Sequence, residues 1–115
     1  MTDTIAYKLL LGPELLALER DGTFAGAPID LADGYIHMST AAQIDETARR
    51  YFADKPDVHV VAVDVEALGE AVRWESSRGG DLFPHLYAAL TMDSVLAYGQ
   101  LDLDDERMIR LPVTG

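Results

Sequence analysis

The sequence predicts an α+β fold in a single domain over residues 1–115, with about six β-strands and two α-helices. The chain is 49% hydrophobic, which is enough to build one core. Residues 58–65 read Val-His-Val-Val-Ala-Val-Asp-Val, a nearly continuous apolar run that is typical of a central strand covered on both faces. The helical patterns are concentrated in the first half, whereas a doubly wound sheet would need regular alternation of strands and helices.

The first two elements are a strand and a short helix. Residues 5–11 alternate with a period of two, which places Lys8 and Leu10 on the face opposite the other apolar side chains. Pro13 suits the first position of a helix, and Gly22 suits its end, so we expect a helix of roughly two turns between them. Residues 23–34 are rich in turn residues and are expected to be irregular.

The middle of the chain predicts a second strand and helix. Residues 35–39 form a short strand, and Thr40 with Gln43 matches a capping box for a helix that runs to about Ala53. Pro84 should place its own segment at a sheet edge or at a strand start, because proline cannot donate a hydrogen bond. The remaining expected elements are a helical turn at 66–70, strands at 72–75, 83–90 and 95–103, and a flexible loop at 76–80.

The composition excludes several classes of function. The 20 acidic and 9 basic side chains give a formal net charge of −11, which repels nucleic acid backbones. There is no cysteine, so disulfides and thiolate metal sites are excluded. No apolar run approaches a membrane span, and residues 1–4 lack a basic leader. We therefore expect a cytoplasmic protein that binds neither nucleic acid nor a membrane.

Two histidines lie in dense local patterns. His37 lies in Asp-Gly-Tyr-Ile-His-Met-Ser-Thr at residues 33–40, near the end of a strand that leads into a helix. Ligands often bind at such strand ends, and Ser39 shares the face of His37, so both are candidate ligand contacts. The alternative is that His37 bonds a backbone carbonyl and orders the turn.

His85 lies in Phe-Pro-His-Leu-Tyr at residues 83–87, and it shares a strand face with Phe83 and Tyr87. Aromatic neighbours of this kind can stack on a planar ligand such as a nicotinamide or adenine ring. An ordinary aromatic core cluster with one satisfied imidazole explains the pattern equally well.

Three charged residues complete the candidate set. Glu75 follows a tryptophan, and a half-buried carboxylate there could act as an acid, a base or a stabiliser of a cation. The alternative is an exposed glutamate that pairs with Arg73 or Arg78. Arg78 precedes two glycines and could approach a phosphate, although a mobile surface loop is more common. Lys8 could bind phosphate if it faces a cleft, or it could extend along the surface.

Standard catalytic motifs are absent. The chain has no G-x-G-x-x-G, no P-loop, no G-x-S-x-G and no H-E-x-x-H sequence. Two histidines and a carboxylate could form a facial metal site, but the spacing from His37 to His85 gives it no support, and we predict no metal. A metal-dependent hydrolase or oxygenase is a further alternative, and it would require bound metal in an elemental analysis.

Three blocks in order resemble a known family. They are the run at 33–40, Val-Arg-Trp-Glu at 72–75, and Asp-Leu-Phe-Pro-His-Leu-Tyr at 81–87. Together they are similar to the short bacterial proteins grouped as domain of unknown function 952, and the likeness extends from Tyr7 to about Leu101. That family has no established activity. The resemblance implies an ADP-ribosyltransferase-like fold, with a split mixed β-sheet and a cleft that can hold NAD.

The resemblance also implies an activity and a set of residues. The chain would bind NAD or a related nucleotide, with no covalently bound cofactor, and would transfer or hydrolyse ADP-ribose. The catalytic pair would be His37, which orients the ligand, and Glu75, which stabilises the ribosyl cation as nicotinamide leaves. The ligand-binding residues would be Lys8, Ser39, Arg78, His85 and Tyr87. Members of the family often carry histidine at the position of Lys8, so the chain departs from the full transferase pattern there.

The alternative is a non-catalytic module on the same fold that binds a small molecule or a protein. The departure at Lys8 and the acidic net charge favour it. Release of nicotinamide by the wild type but not by Glu75→Gln would identify the enzyme.

Overall fold

The computed structural model describes residues 3–77 and 79–114, and it confirms the α+β class. Two short 3-10 helices lie at Gly69–Ala71 and Met92–Ser94. The strands and helices in chain order are β1 Ile5–Leu11, α1 Gly12–Asp21, β2 Thr23–Phe24, α2 Pro28–Asp33, β3 Ile36–His37, α3 Ile44–Tyr51, β4 Val58–Asp64, α4 Val65–Leu68, β5 Val72–Ser77, β6 Asp81–Leu86, β7 Leu90–Thr91 and β8 Val95–Gln100. None of the described helices is long and apolar enough to cross a membrane.

The described strands form three antiparallel sheets. The first has the order β1-β4-β8, the second pairs β2 with β7, and the third has the order β3-β6-β5. Tyr7 of β1 also pairs with Ser39, two residues after β3: the Tyr7 N–H donates to the Ser39 carbonyl at 2.7 Å, and the Ser39 N–H donates to the Tyr7 carbonyl at 2.9 Å.

The expectation of a mixed sheet with about two helices is wrong for the described part of the chain. All described strand pairs are antiparallel, and there are four α-helices. The short connection between β5 and β6 permits only antiparallel pairing, because a parallel pair needs a long crossover. The two additional helices, α2 and α4, have six and four residues, which is too short for a periodic apolar stripe to be recognised.

The first sheet is covered on both faces, and β4 is its central strand, as the sequence predicted. Alternate residues of β1 and β4 enter two different core clusters. One cluster includes Leu10, Val61 and Val63, and it extends to α1 and to residues of the third sheet. The other includes Leu9 and Val60 and is covered by α3.

The prediction that residues 23–34 are irregular is wrong, because this segment contains β2 and α2. Two of the apolar residues of α2, Ile29 and Leu31, are exposed, and the one buried residue of the helix is Asp30. The helix therefore carries no apolar stripe that a search for hydrophobic periodicity could detect. Its start uses the same chemistry as α1. The Asp30 carboxylate accepts the Ala27 N–H at 2.8 Å, as Glu14 accepts that of Leu11 at 2.8 Å.

Pro84 lies in the central strand of the third sheet, so its assignment to an edge or a strand start is wrong. The carbonyl of Pro84 accepts the Met38 N–H at 3.2 Å. The nitrogen and oxygen of one residue point to the same side of an extended strand, so the missing N–H faces the short β3 and not β5.

The boundaries of α3 and β5 are among those that differ from the expectation. The third helix begins at Ile44, and the preceding residues form a turn in which the Gln43 amide oxygen still accepts the Thr40 N–H at 3.0 Å. Strand β5 continues to Ser77, so residues 76 and 77 belong to the strand and not to a flexible loop.

Candidate functional site

The third sheet has one apolar face and one polar face. Residues opposite one another on antiparallel strands point to the same side of a sheet, and residues two apart on one strand do as well. His37 lies opposite His85, and His85 lies opposite Arg73, so the three strands place these residues in one row. Glu75, two residues after Arg73, shares their side. We call His37, Arg73, Glu75 and His85 the polar face. The intervening residues belong to or pack against the core, among them Ile36, Val72, Trp74 and Leu86.

Glu75 accepts two hydrogen bonds on a single oxygen. Nδ1 of His85 lies 2.7 Å from Glu75 Oε1, and the Tyr87 hydroxyl donates to the same oxygen at 2.8 Å. These bonds, that of His85 first, lower the pKa of Glu75 below its usual value. The carboxylate side chain is 39% exposed, and Oε2 has no hydrogen bond to any described residue. Among the residues that the structure describes, Glu75 is therefore an ionised carboxylate with one hydrogen-bonded oxygen and one without a partner.

The ring of Tyr35 holds the two histidines together. Tyr35 stacks on His85 with centroids 4.1 Å apart and planes inclined by 23°. It lies 4.6 Å from His37 and 5.3 Å from Tyr87, and the two histidine rings are 5.8 Å apart. On Tyr87, the Arg73 guanidinium lies 4.4 Å from the ring centroid, which is a cation–π distance. His85 is 4% exposed, so Tyr35 and its neighbours bury it almost completely.

His37 lies between two carboxylates. Nδ1 of its ring is 2.6 Å from Asp30 Oδ1, and Nε2 is 2.9 Å from Asp33 Oδ2. A carboxylate only accepts hydrogen bonds, so both contacts are hydrogen bonds when the ring carries both protons. Asp33 is exposed whereas Asp30 is buried, so Nε2 is the nitrogen on the solvent side.

Asp30 and Lys8 form a buried ion pair behind His37. Lys8 Nζ lies 3.0 Å from Oδ2 and 3.2 Å from Oδ1 of Asp30, and the two side chains are 7% and 1% exposed. Burial raises the pKa of Asp30, but the His37 hydrogen bonds, the Lys8 charge and the Ala27 N–H together hold it far below the usual value. Burial lowers the pKa of Lys8, and the charge of Asp30 opposes that shift.

A shallow cleft of about 270 Å³ opens beside Asp30, and none of the four residues of the polar face lines it. Its polar contributors are Asp30, at the inner side, and the rings of Tyr35 and Tyr87. The remaining lining residues are Ala25, Leu31, Gly34, Ile36, Leu86 and Ala88. The volume lies just under the usual range for small-molecule sites, roughly 300–1,000 Å³, so the cleft suits one ring and not a whole dinucleotide.

The structure brings four of the predicted residues together, namely His37, Glu75, His85 and Tyr87. Lys8 reaches this group through Asp30. The Ser39 hydroxyl is instead 2.9 Å from that of Thr47 on α3, and it makes no hydrogen bond to His37 or His85. Arg78 lies outside the described residues.

Sequence reasoning missed Asp30, Asp33 and Tyr35 as members of the site. A signal for Asp30 was present, because a proline, an acidic residue two positions later and a following glycine mark the limits of a helix. Nothing local indicates that this acid turns inward towards Lys8. Among residues 3–77 and 79–114, no group of three or more histidine, aspartate or glutamate side chains is arranged to hold a metal ion.

Comparison with known proteins gives a family and a set of similar structures. The profile of the family described as protein of unknown function (DUF952) matches residues 11–98, a range that includes all three sequence blocks. No curated protein matches the chain. The crystal structure of protein CC0527 from Caulobacter crescentus is 42% identical, with a TM-score of 0.85 over 94% of this chain and 95% of that chain.

Two further structures are of the same bacterial protein. A crystal structure of a CC0527 double mutant gives a TM-score of 0.84 at 42% identity, over 94% of this chain and 95% of that chain. The solution NMR structure gives 0.78 at the same identity, over 93% and 91% of the two chains. The likeness therefore extends across almost the whole fold.

Proposed function

The chain belongs to the DUF952 family of proteins of unknown function, and from this premise we propose that its polar face binds a nicotinamide nucleotide of the NAD class. In this proposal the site is ADP-ribosyltransferase-like, and Glu75 stabilises the ribose as nicotinamide leaves. The observation that carries the proposal is the Glu75 carboxylate, which is ionised, held on one oxygen by two donors and without a described partner on the other.

The fixed carboxylate suits a reaction that develops positive charge. When the bond between nicotinamide and ribose breaks, nicotinamide leaves with the bonding electrons and the ribose becomes cationic. Oε2 of Glu75 has no other described partner and can face that cation. A charge fixed in advance stabilises the transition state without reorganisation, and removing one such group typically costs about 10²–10³ in rate. The oxygen of water or of an acceptor then bonds to the ribose and releases its proton.

The aromatic residues suit the planar ring of such a ligand. Tyr35 and Tyr87 line the cleft with their centroids 5.3 Å apart, and flat rings of this kind stack on nicotinamide or adenine. The cleft holds one ring, so the rest of the nucleotide would lie across the open surface. Arg73 is exposed beside Tyr87 and is the described cation placed to meet a phosphate there.

A non-catalytic binding module is the second candidate, and the charge of the site favours it. Lys8 is already neutralised by Asp30, and Arg73 is already stacked on Tyr87. A pyrophosphate would therefore find few free cations among the described residues. A small uncharged or cationic ring compound would meet no such difficulty.

Calorimetry and product analysis with NAD test the proposal. The wild type should bind NAD at or below millimolar concentration and release nicotinamide over hours. Glu75→Gln should bind NAD but release no nicotinamide, because the amide retains the shape of the carboxylate without its charge. The control is Glu106→Gln, a glutamate in the exposed turn before the C-terminal tail, which should behave as the wild type. Binding without release by any variant supports the module, and absence of heat at millimolar NAD refutes the NAD ligand.

A further inference from the structure

Asp30 has no role in the proposal above, yet it makes more contacts than any other carboxylate at the site. It is 1% exposed, on α2, and lies between Lys8 of β1 and His37 of β3. We propose that Asp30 is a positioning residue for His37. It fixes the imidazole with Nδ1 turned inwards and Nε2 on the solvent side, where Asp33 Oδ2 lies 2.9 Å away and a ligand would compete with it. The identity of that ligand rests on the proposed function.

The geometry ties the ring to the backbone of the same residue. Oδ1 of Asp30 accepts from Nδ1 of His37 at 2.6 Å and also from the His37 backbone N–H at 3.0 Å. Two bonds from one residue to one oxygen restrict both the position and the rotation of its side chain. Oδ2 accepts the Ala27 N–H at 2.8 Å, which anchors the carboxylate to the start of α2. The imidazole is therefore fixed relative to two elements at once.

Lys8 supplies the charge that Asp30 needs in this buried place. An ionised carboxylate without a partner is very costly to bury, and Lys8 lies within 3.2 Å of both its oxygens. Lys8 is thus a counter-ion for the residue that orients His37. This assignment replaces direct contact between Lys8 and a ligand phosphate.

Orientation and stability make different demands on these residues. A buried ion pair is weak evidence for stability, because apolar side chains of similar volume often serve as well. An apolar pair cannot hold an imidazole ring by hydrogen bonds. Replacing both residues by apolar ones therefore distinguishes the two roles. If the pair is purely structural, the His37 ring is unaffected by the replacement. If Asp30 positions His37, the ring loses its fixed orientation.

The test combines NMR spectra of the imidazole nitrogens with NAD affinity. The variants are Asp30→Asn and the double variant Lys8→Met/Asp30→Leu. The control is Asp45→Asn, because Asp45 also accepts a backbone N–H, that of Ile109 at 2.7 Å, but it lies against the other core cluster. In the wild type the Nδ1 nitrogen of His37 should carry a strongly hydrogen-bonded proton.

That NMR signal should be lost in the double variant, and NAD affinity should fall on the order of tenfold or more, as expected for a charged hydrogen bond. The His37 signal and the NAD affinity of Asp30→Asn should lie between those of the wild type and those of the double variant, because the amide oxygen can still accept a hydrogen bond from His37. The control should retain both properties. If the double variant does not fold, Asp30→Asn decides alone.

Folded variants whose His37 spectrum and NAD affinity match those of the wild type would overturn the positioning role and leave the proposed function intact. If the wild type does not bind NAD, the proposed function fails, and the imidazole spectra alone then support or refute the role of Asp30.

Discussion

At the scale of single residues, the Lys8–Asp30 pair leads to a prediction about stability. Removing one member of a buried ion pair leaves the other charge uncompensated, which costs roughly 3–5 kcal/mol. Asp30→Ala should lower the free energy of unfolding by about that amount at pH 7, as measured by urea denaturation. The control is Asp21→Ala, because Asp21 pairs with Arg20 on the surface and its loss should change little.

The effect of Asp30→Ala should depend on pH in a defined direction. The pKa of Asp30 is lowered in the folded protein, so its contribution is present above the ordinary aspartate pKa, about 3.9. The contribution is lost as the pH falls below that value towards the folded-state pKa. The difference between wild type and Asp30→Ala should therefore be smaller at pH 3 than at pH 7. An unchanged difference would show that the lost charge is not the cause.

The pKa of Glu75 should depend on its two hydrogen-bond donors. Tyr87→Phe removes the hydroxyl that donates at 2.8 Å, so the pKa of Glu75 should rise. His85→Gln should raise it further, because the His85 hydrogen bond contributes most to the lowered pKa. The carboxyl carbon signal of Glu75, followed by NMR against pH, measures both shifts. Equal pKa values in the wild type and both variants would contradict this account of Glu75.

Four of the residues predicted from the sequence lie together in the structure, and the buried acid beside them was missed. His37, Glu75, His85 and Tyr87 stand in local patterns that alternate along strands, so their shared side of a sheet can be deduced. Asp30 points inwards because Lys8, 22 positions away, supplies its counter-charge. That pairing is a long-range contact, and no local pattern carries it.

At the scale of elements, α2 is positioned by the turn that precedes it. Gly26 has φ of +133°, and a Cβ atom there would lie 2.8 Å from the Cβ of Asp30. Gly26→Ala should therefore destabilise the fold by more than the roughly 1–2 kcal/mol of left-handed strain, and it should displace the His37 NMR signals. The control is Gly22→Ala, where φ is also positive but no atom lies within 4 Å. Equal losses in the two variants would contradict close packing at Gly26.

The elements that were predicted well from the sequence are those with a regular apolar pattern. Strands β1 and β4 and helix α1 were predicted well, because each has an apolar face that enters a core cluster. Helix α2 was missed, because its buried residue is charged. The central position of β6 was missed because proline is expected at a sheet edge or a strand start. The N–H that Pro84 lacks would face β3, a strand of only two residues.

At the scale of the whole molecule, the net charge of −11 predicts a response to salt. Self-repulsion destabilises a compact chain, and raising ionic strength from 0.01 M to 0.15 M shortens the screening length from about 30 Å to about 8 Å. The melting temperature should therefore rise with NaCl, and a gain of 1 kcal/mol corresponds to roughly 4 °C or more. The increase should persist in Asp30→Ala, because a buried pair is screened little. A fall in melting temperature with salt would contradict the repulsion argument.

The polar face is a property of the assembled sheet. Its residues come from three strands, and the register that sets His37 opposite His85 joins positions far apart in the chain. The family match and the likeness to CC0527 cover the same assembly, and they assign no ligand to it. A ligand titration must therefore decide what the polar face binds.

The chain contains three histidines, of which two lie on the polar face, while His59 lies elsewhere beside Asp57. The most direct measurement is an NMR titration of the three imidazole rings with NAD. We expect the signals of His37 and His85 to shift together and to saturate at one concentration, while those of His59 stay unchanged. Shifts of His59 alone, or no saturable shift of either other histidine, would contradict the shared site.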